Sequence, residues 1–261
     1  MGYTVITGAC GGLGYAFAEN LAEKGEKMIL LGRSEERLSA LCLRLQERFG
    51  VQPLSYALDL TELSARQGFD RYLAENGLTV KRLVNVAGAD IQKGFAEYSQ
   101  EKIAFQARVN FEGAVSLCRI AMEHKAKTLE IINISSVSGV YPMPYFAIYS
   151  ATKRALWSFS VALREEGKKQ GVKVTAVLPG AMPTRDDVKA QIAGQGLWGK
   201  LAAKSPAFVA KKSLAAASKN KRTCIPGFWN RCMYVCTKIL PLSWKLRFIA
   251  RRWSKISKDA F

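Results

Sequence analysis

Histidine is nearly absent from this chain. His124 is the only one in 261 residues, so a Ser-His-Asp hydrolase and a histidine-rich metal centre both lack their usual groups. It falls near the end of a helical stretch and reads as a surface side chain. No run of about 18 apolar residues occurs, so no spanning helix is expected. The first strand pattern begins within three residues of Met1, which leaves no room for a secretory leader. Six cysteines are scattered without framework spacing. Cys232 and Cys236 lie four apart, with no histidine or second cysteine pair to complete a metal site. A reduced, cytoplasmic, metal-free chain is the expectation. No internal repeat, low-complexity tract or linker interrupts it.

Acidic residues are missing from one half. After Gly167 they are Asp186, Asp187 and Asp259 alone, while lysine and arginine continue throughout. Nearly all of the net charge of +18 therefore lies in that stretch, and the part before Gly167 is close to neutral.

What is present begins with a glycine-rich turn. Tyr3 to Ile6 read as a short buried strand that runs into Thr7-Gly8-Ala9-Cys10-Gly11-Gly12-Leu13-Gly14 and then a helical pattern. Strand, glycine turn and helix together make a pyrophosphate site. Glycines allow close backbone approach, and the helix N-terminus offers free N–H groups and a positive dipole end. A second strand, 27–31, ends at Gly32-Arg33-Ser34. An acidic residue there would select NAD(H) through the ribose hydroxyl. Arg33 suits a 2′-phosphate instead, so NADP(H) is preferred over NAD(H).

Further apolar runs at 54–58, 82–86, 129–135 and 172–178 read as strands, with helical stretches such as 35–49 and 100–124 between them. This alternation, in a chain with 49% hydrophobic residues, predicts one α/β domain: a doubly wound parallel sheet of Rossmann type. The cofactor should lie where the first and fourth strands flank the switch point.

Tyr149 and Lys153 are four apart, so on a helix they share a face. An ammonium beside a phenol lowers its pKa from about 10 and suits it to general acid/base work.

With the glycine turn and this pair in place, the chain resembles the short-chain dehydrogenase/reductase family over nearly its whole length. Ser136 lies thirteen positions before Tyr149, the spacing of the family's catalytic serine, although Ser135 is an obvious rival. Asn110 stands where the family keeps an asparagine that holds a proton-relay water. Asp59 and Leu60 match its adenine contact. Asn85, Ala87 and Gly88 match its N-N-A-G, with Val86 a departure. Pro179, Gly180 and Thr184 match the P-G-x-x-x-T that grips the nicotinamide carboxamide. The phrasing around 133–153, and Lys204-Ser205-Pro206, is similar to the 17-beta-hydroxysteroid dehydrogenase and very-long-chain 3-oxoacyl-CoA reductase branch and its bacterial relatives.

The resemblance implies a carbonyl reductase. Tyr149 would protonate a ketone oxygen. Lys153 would lower the Tyr149 pKa and hold the nicotinamide ribose, and Ser136 would bind the same oxygen. It also implies a homodimer or homotetramer. Tyr141, Met143, Tyr145 and Phe146, with Met182, Leu197 and Trp198 of a lid over about 181–203, would line a large apolar substrate of steroid or fatty type. The alternative is a non-catalytic NADP(H)-sensing or interaction protein on the same fold.

Residues 1–227 read as the catalytic domain and 228–261 as a basic amphipathic helical tail. In the tail, Leu246, Ile249 and Trp253 recur at helical spacing beside Lys245, Arg247, Arg251, Arg252 and Lys255. Such a helix fits an anionic membrane surface. It also fits packing on the domain or on a partner subunit, and its charge could attract an acidic substrate such as an acyl-CoA or acyl carrier protein. Nothing resembles a nucleic-acid recognition motif.

Overall fold

A computed structural model describes residues 2–183 and 201–254. Among these, seven strands form one parallel sheet in the order β3-β2-β1-β4-β5-β6-β7. They are β1 (Tyr3–Thr7), β2 (Met28–Gly32), β3 (Leu54–Ala57), β4 (Val80–Asn85), β5 (Lys125–Ile134), β6 (Val172–Val177) and β7 (Thr223–Cys224). The helices are α1 (Gly12–Ala22), α2 (Glu35–Phe49), α3 (Leu63–Glu75), α4 (Gln100–Ala107), α5 (Gly113–Glu123), α6 (Ala147–Gly167), α7 (Pro206–Ser218), α8 (Phe228–Ile239) and α9 (Leu242–Trp253).

Side chains alternate across each strand, and so divide the core into two layers. Ile6, Leu30 and Ile132 face one cluster with Phe17, Leu21, Leu38 and Leu214. Their neighbours Val5, Ile29 and Ile131 face the other, with Phe69, Leu73, Leu117 and Leu163. Both faces being covered explains why the strands read as continuous apolar runs.

The sheet matches the predicted doubly wound order, with β1 and β4 flanking the switch point. Two details differ. The helix predicted over 100–124 is broken at Arg108–Glu112 by a π-turn, which periodicity alone does not reveal. Strand β7 is two residues long and too short to leave a sequence pattern. His124 is structural: its Nε2 lies 2.7 Å from Asp70 Oδ1 and ties the end of α5 to α3.

Candidate active site

The C-terminal ends of β1, β4, β5 and β6 open into a cleft of about 1200 Å³. Thr7 fastens its rear edge. Its Oγ1 accepts from the backbone N–H groups of Val86 (2.9 Å) and Ala87 (3.0 Å), so the ends of β1 and β4 are locked together. Gly8 then turns the chain in the left-handed region, with φ of 61°. A Cβ on Gly14 would sit 2.1 Å from the Gly8 carbonyl oxygen, so only glycine fits there. Helix α1 follows Gly11 as its N-cap residue, without a side-chain cap and without an acid in its first turn. Its free N–H groups and dipole therefore face the cleft, a cradle for a diphosphate.

Arg33, Ser34 and Arg37 line the cleft beyond the end of β2. Arg37 Nη2 donates to the Cys10 carbonyl at 3.3 Å, which draws it towards the glycine loop. Sequence reasoning found Arg33 and missed Arg37. The signal was the four-residue spacing of two arginines across a helix start. Asp59 Oδ1 accepts from the Thr61 backbone N–H and hydroxyl, at 2.8 and 2.7 Å, and so holds the turn after β3. Asp59 and Leu60 line the same cleft, as do Cys10, Gly11, Gly12, Leu13, Ala87, Gly88, Pro179 and Gly180.

Two predicted site residues, Asn85 and Asn110, lie behind the cleft lining. Asn85 is buried behind it and donates to Asn133 Oδ1 (2.8 Å) and the Ala114 carbonyl (3.1 Å). Its amide nitrogen joins β4 to β5 and α5, while its Oδ1 has no hydrogen-bond partner among the described residues. Asn110 is fully buried in the π-turn. Its Oδ1 accepts from Ala89 N–H at 2.7 Å, and its Nδ2 donates to the Ala89 carbonyl and Thr152 Oγ1. It clamps the 88–90 loop instead of presenting its amide to solvent. A Cβ on Gly88 would meet Asn110 Oδ1 at 2.9 Å and Lys153 Nζ at 3.1 Å, so a bare glycine backbone is wedged between them.

Ser136, Tyr149 and Lys153 converge at the centre. Ser135 Oγ donates to the Lys153 carbonyl at 2.6 Å and pins α6 to β5. Ser136 is left to face the cleft, where it hydrogen-bonds Tyr149. Lys153 is buried, and its Nζ donates to the Ile134 carbonyl at 2.9 Å, 5.7 Å from the centre of the Tyr149 ring.

The electrostatics correct one expectation. Burial pushes the Tyr149 phenol well above its ordinary value, and the Asp90 carboxylate pushes the same way against the Ser136 hydrogen bond. Lys153 does not bring it down. Burial lowers the ammonium itself to about 8, with Asp90 opposing. Removing a charge from water costs more here than the neighbouring dipoles return. Tyr149 therefore stands protonated at neutral pH, ready to give a proton. Asp90, another cleft residue that sequence reasoning missed, acts on both groups.

The far wall is apolar. Tyr141, Met143, Phe146 and Met182 line it, together with Met233, Phe248 and Trp253 from the two terminal helices and Leu240 between them, and Lys245 and Arg252 of α9 also reach the cleft. The tail is thus a wall of the cleft. Tyr145 is a correction: it has a left-handed φ of 61° at a turn, is 37% exposed and does not line the cleft. Thr184, Leu197 and Trp198, and most of the predicted lid, lie outside the described residues.

Asn230 of α8 was also not anticipated. It is fully buried beneath Gly180 and donates to the Pro226 and Ala202 carbonyls, but its Oδ1 has no partner. An unpaired acceptor in the cleft wall fits a ligand that carries an amide donor. With the glycine cradle and the two arginines, the donor set fits a nicotinamide dinucleotide. No cluster that could hold a metal occurs among the described residues.

The short chain dehydrogenase profile matches residues 3–192. The chain is 34% identical over 192 residues to the very-long-chain 3-oxoacyl-CoA reductase of Bos taurus, covering 70% of this chain and 60% of that protein. It is 30% identical over 182 residues to an uncharacterized oxidoreductase of Staphylococcus epidermidis, covering 69% of this chain and 77% of the other. A short-chain dehydrogenase from Sphingobium yanoikuyae, solved in complex with NADPH, superposes with a TM-score of 0.77 at 26% identity, over 100% of this chain and 98% of that one. The chain belongs to the short-chain dehydrogenase family.

Proposed function

We propose that this protein is an NADPH-dependent oxidoreductase that reduces a ketone on a large apolar substrate, of steroid or 3-oxoacyl type, to a secondary alcohol, reversibly. The observation that carries the reading is a partly buried Tyr149, its phenol held in the protonated form by desolvation, beside Ser136 and Lys153 and between a diphosphate cradle and an apolar wall. A bound nicotinamide would supply the hydride at this point.

The protein supplies the rest. Tyr149 donates its proton to the carbonyl oxygen as charge develops there, and Ser136 donates a hydrogen bond to the same oxygen. Lys153 holds the ribose hydroxyls and stabilises the phenolate left behind. Asn110 acts at one remove, by fixing the 88–90 loop against Lys153. The cradle from Thr7 to Gly14 holds the diphosphate, and Arg33 with Arg37 favours a 2′-phosphate. Asp59 and Leu60 flank the adenine, with Pro179, Gly180 and Asn230 at the carboxamide.

The same reading includes pairing of subunits as a homodimer or homotetramer. It also includes a cytoplasmic protein in peripheral contact with an anionic membrane through 228–258. No helix of the described residues is long and apolar enough to cross a bilayer. Ile239, Trp244 and Phe248 are 77%, 67% and 66% exposed beside Lys238, Lys245, Arg247 and Arg251, a composition that supports surface docking.

The test is NADPH oxidation by the purified protein against steroid ketones and 3-oxoacyl thioesters, with NADH in parallel. Turnover with NADPH on one class supports the reading and names the substrate. Tight NADPH binding with no turnover on any ketone favours a sensing protein.

A further inference from the structure

A second cavity, of about 740 Å³, lies outside the cofactor cleft, between α6, the β7 end and α8. Its size falls within the roughly 300–1000 Å³ of small-molecule sites. On α8, Arg231, Tyr234 and Lys238 recur at helical spacing and share the face that lines it. Arg154 and Trp157 of α6 form the opposite wall, and Arg222 closes the β7 side. Four cations thus surround one cavity, and among the described residues no acidic side chain lines it. Glu165, which feels Arg222, is exposed and pairs with Lys168.

The two rings set a corner between these charges. Trp157 and Tyr234 meet edge to face, 6.4 Å between centroids at 75°. The Arg154 guanidinium lies 4.7 Å over the Trp157 ring, and Lys238 Nζ lies 4.6 Å over the Tyr234 ring. Arg154 Nη1 donates to the Val140 carbonyl at 3.2 Å, which anchors that cation beside the cavity. Trp157 Nε1 is buried without an acceptor. Such an N–H is costly unless something supplies an acceptor. Clustered cations, two aromatic faces and an unpaired indole N–H match a flat heterocycle that carries phosphates.

The geometry points to a binding site here for a nucleotide bearing at least two phosphates, the handle of a thioester substrate whose acyl chain enters the cofactor cleft. Thr237 of α8 lines both cavities, so one helix thickness separates them. Along α6, Trp157 is eight residues from Tyr149, about 12 Å by helical rise. Such a substrate requires a flexible arm that runs from one cavity to the other past Thr237. The site deepens the reductase reading, since it selects a nucleotide-borne 3-oxoacyl thioester over a steroid, and it rests on that reading for the use of the handle but not for its binding.

The experiment is calorimetric titration of the full-length protein with adenosine 3′,5′-bisphosphate, with saturating NADP+ present to occupy the cofactor cleft. One bisphosphate should bind per chain. Arg231→Ala and Trp157→Phe should each weaken it about tenfold, whereas Lys24→Ala, exposed and outside both cavities, should leave it unchanged. Thermal melts of each variant report whether it folds. Absence of binding, binding untouched by Arg231→Ala and Trp157→Phe in folded protein, or equally tight binding of inorganic pyrophosphate would each overturn the site. Kinetics give a second readout. Arg231→Ala should raise KM for a 3-oxoacyl-CoA about tenfold and leave KM for the matching N-acetylcysteamine thioester, which lacks the nucleotide, unchanged. Binding of the bisphosphate without reduction of any ketone removes the reductase reading and keeps the site. Reduction without bisphosphate binding does the reverse.

Discussion

Trp253 stacks on Phe146, with 6.4 Å between ring centroids and 12° between planes. Phe146 in turn stacks on Tyr149 at 4.3 Å and 15°. The last helix therefore reaches Tyr149, the proposed proton donor, through one intervening ring. Met143 and Ile249 fill the space around this column. A tail that looks detachable in the sequence is a structural part of the catalytic wall.

Replacing Trp253 by Ala removes the outer ring of that column. The stacking and burial lost amount to about 1–2 kcal/mol for a half-buried ring. The expected outcome is a melting temperature lowered by a few degrees and a KM for an apolar ketone raised about tenfold, with NADPH affinity unchanged. Thermal melts and steady-state kinetics on the same preparation check both.

Arg33 and Arg37 flank the place expected for a 2′-phosphate. Each charge-assisted contact contributes about 1.5–3 kcal/mol. Arg33→Ala and Arg37→Ala should each cost about ten- to a hundredfold in kcat/KM with NADPH and leave the NADH value nearly unchanged. Equal losses with both cofactors would mean that neither arginine reads the phosphate.

The pH dependence follows from Lys153 and Tyr149. Lys153 is charged below its lowered value of about 8, and Tyr149 stays protonated because its own value is raised. Reduction should be level through neutral pH and decline above about pH 8 as the ammonium is lost. Alcohol oxidation needs the phenolate and should rise with pH over the alkaline range. Asp90 raises both groups, so Asp90→Asn should move the decline in reduction to lower pH. Rate–pH profiles of the two proteins measure the shift.

Gly14→Ala tests the cradle. With only 2.1 Å between an added Cβ and the Gly8 carbonyl oxygen, the turn or the start of α1 has to move. The cost exceeds about 2 kcal/mol by comparison with other overpacked sites. Loss of NADPH binding with the remaining fold intact by circular dichroism is the expected result.

Much of this site was legible beforehand because its parts are local in sequence. The glycine loop, the Tyr149–Lys153 pair and the doubly wound strand order each declare themselves over a few adjacent residues. What was not legible depends on distant contacts. Asn85 and Asn110 carry the expected residue types, and their buried amides also meet structural partners that no sequence pattern announces. Asp90 and Asn230 acquire meaning only when the ends of β4 and β6 and helix α8 meet. The direction of the Tyr149 shift was misjudged because a sequence displays a nearby cation but not the desolvation of both groups. Tyr145 points away because the left-handed turn that reorients it carries no glycine to announce it.

The most direct test of the central claim is Tyr149→Phe. The substitution keeps the ring, and with it the stack on Phe146, and removes only the hydroxyl that gives the proton. The account predicts that NADPH binding, read by fluorescence titration, stays within about twofold while ketone-dependent NADPH oxidation falls by at least about a thousandfold. A Tyr149→Phe protein that turns over at the rate of the unmodified enzyme would contradict it.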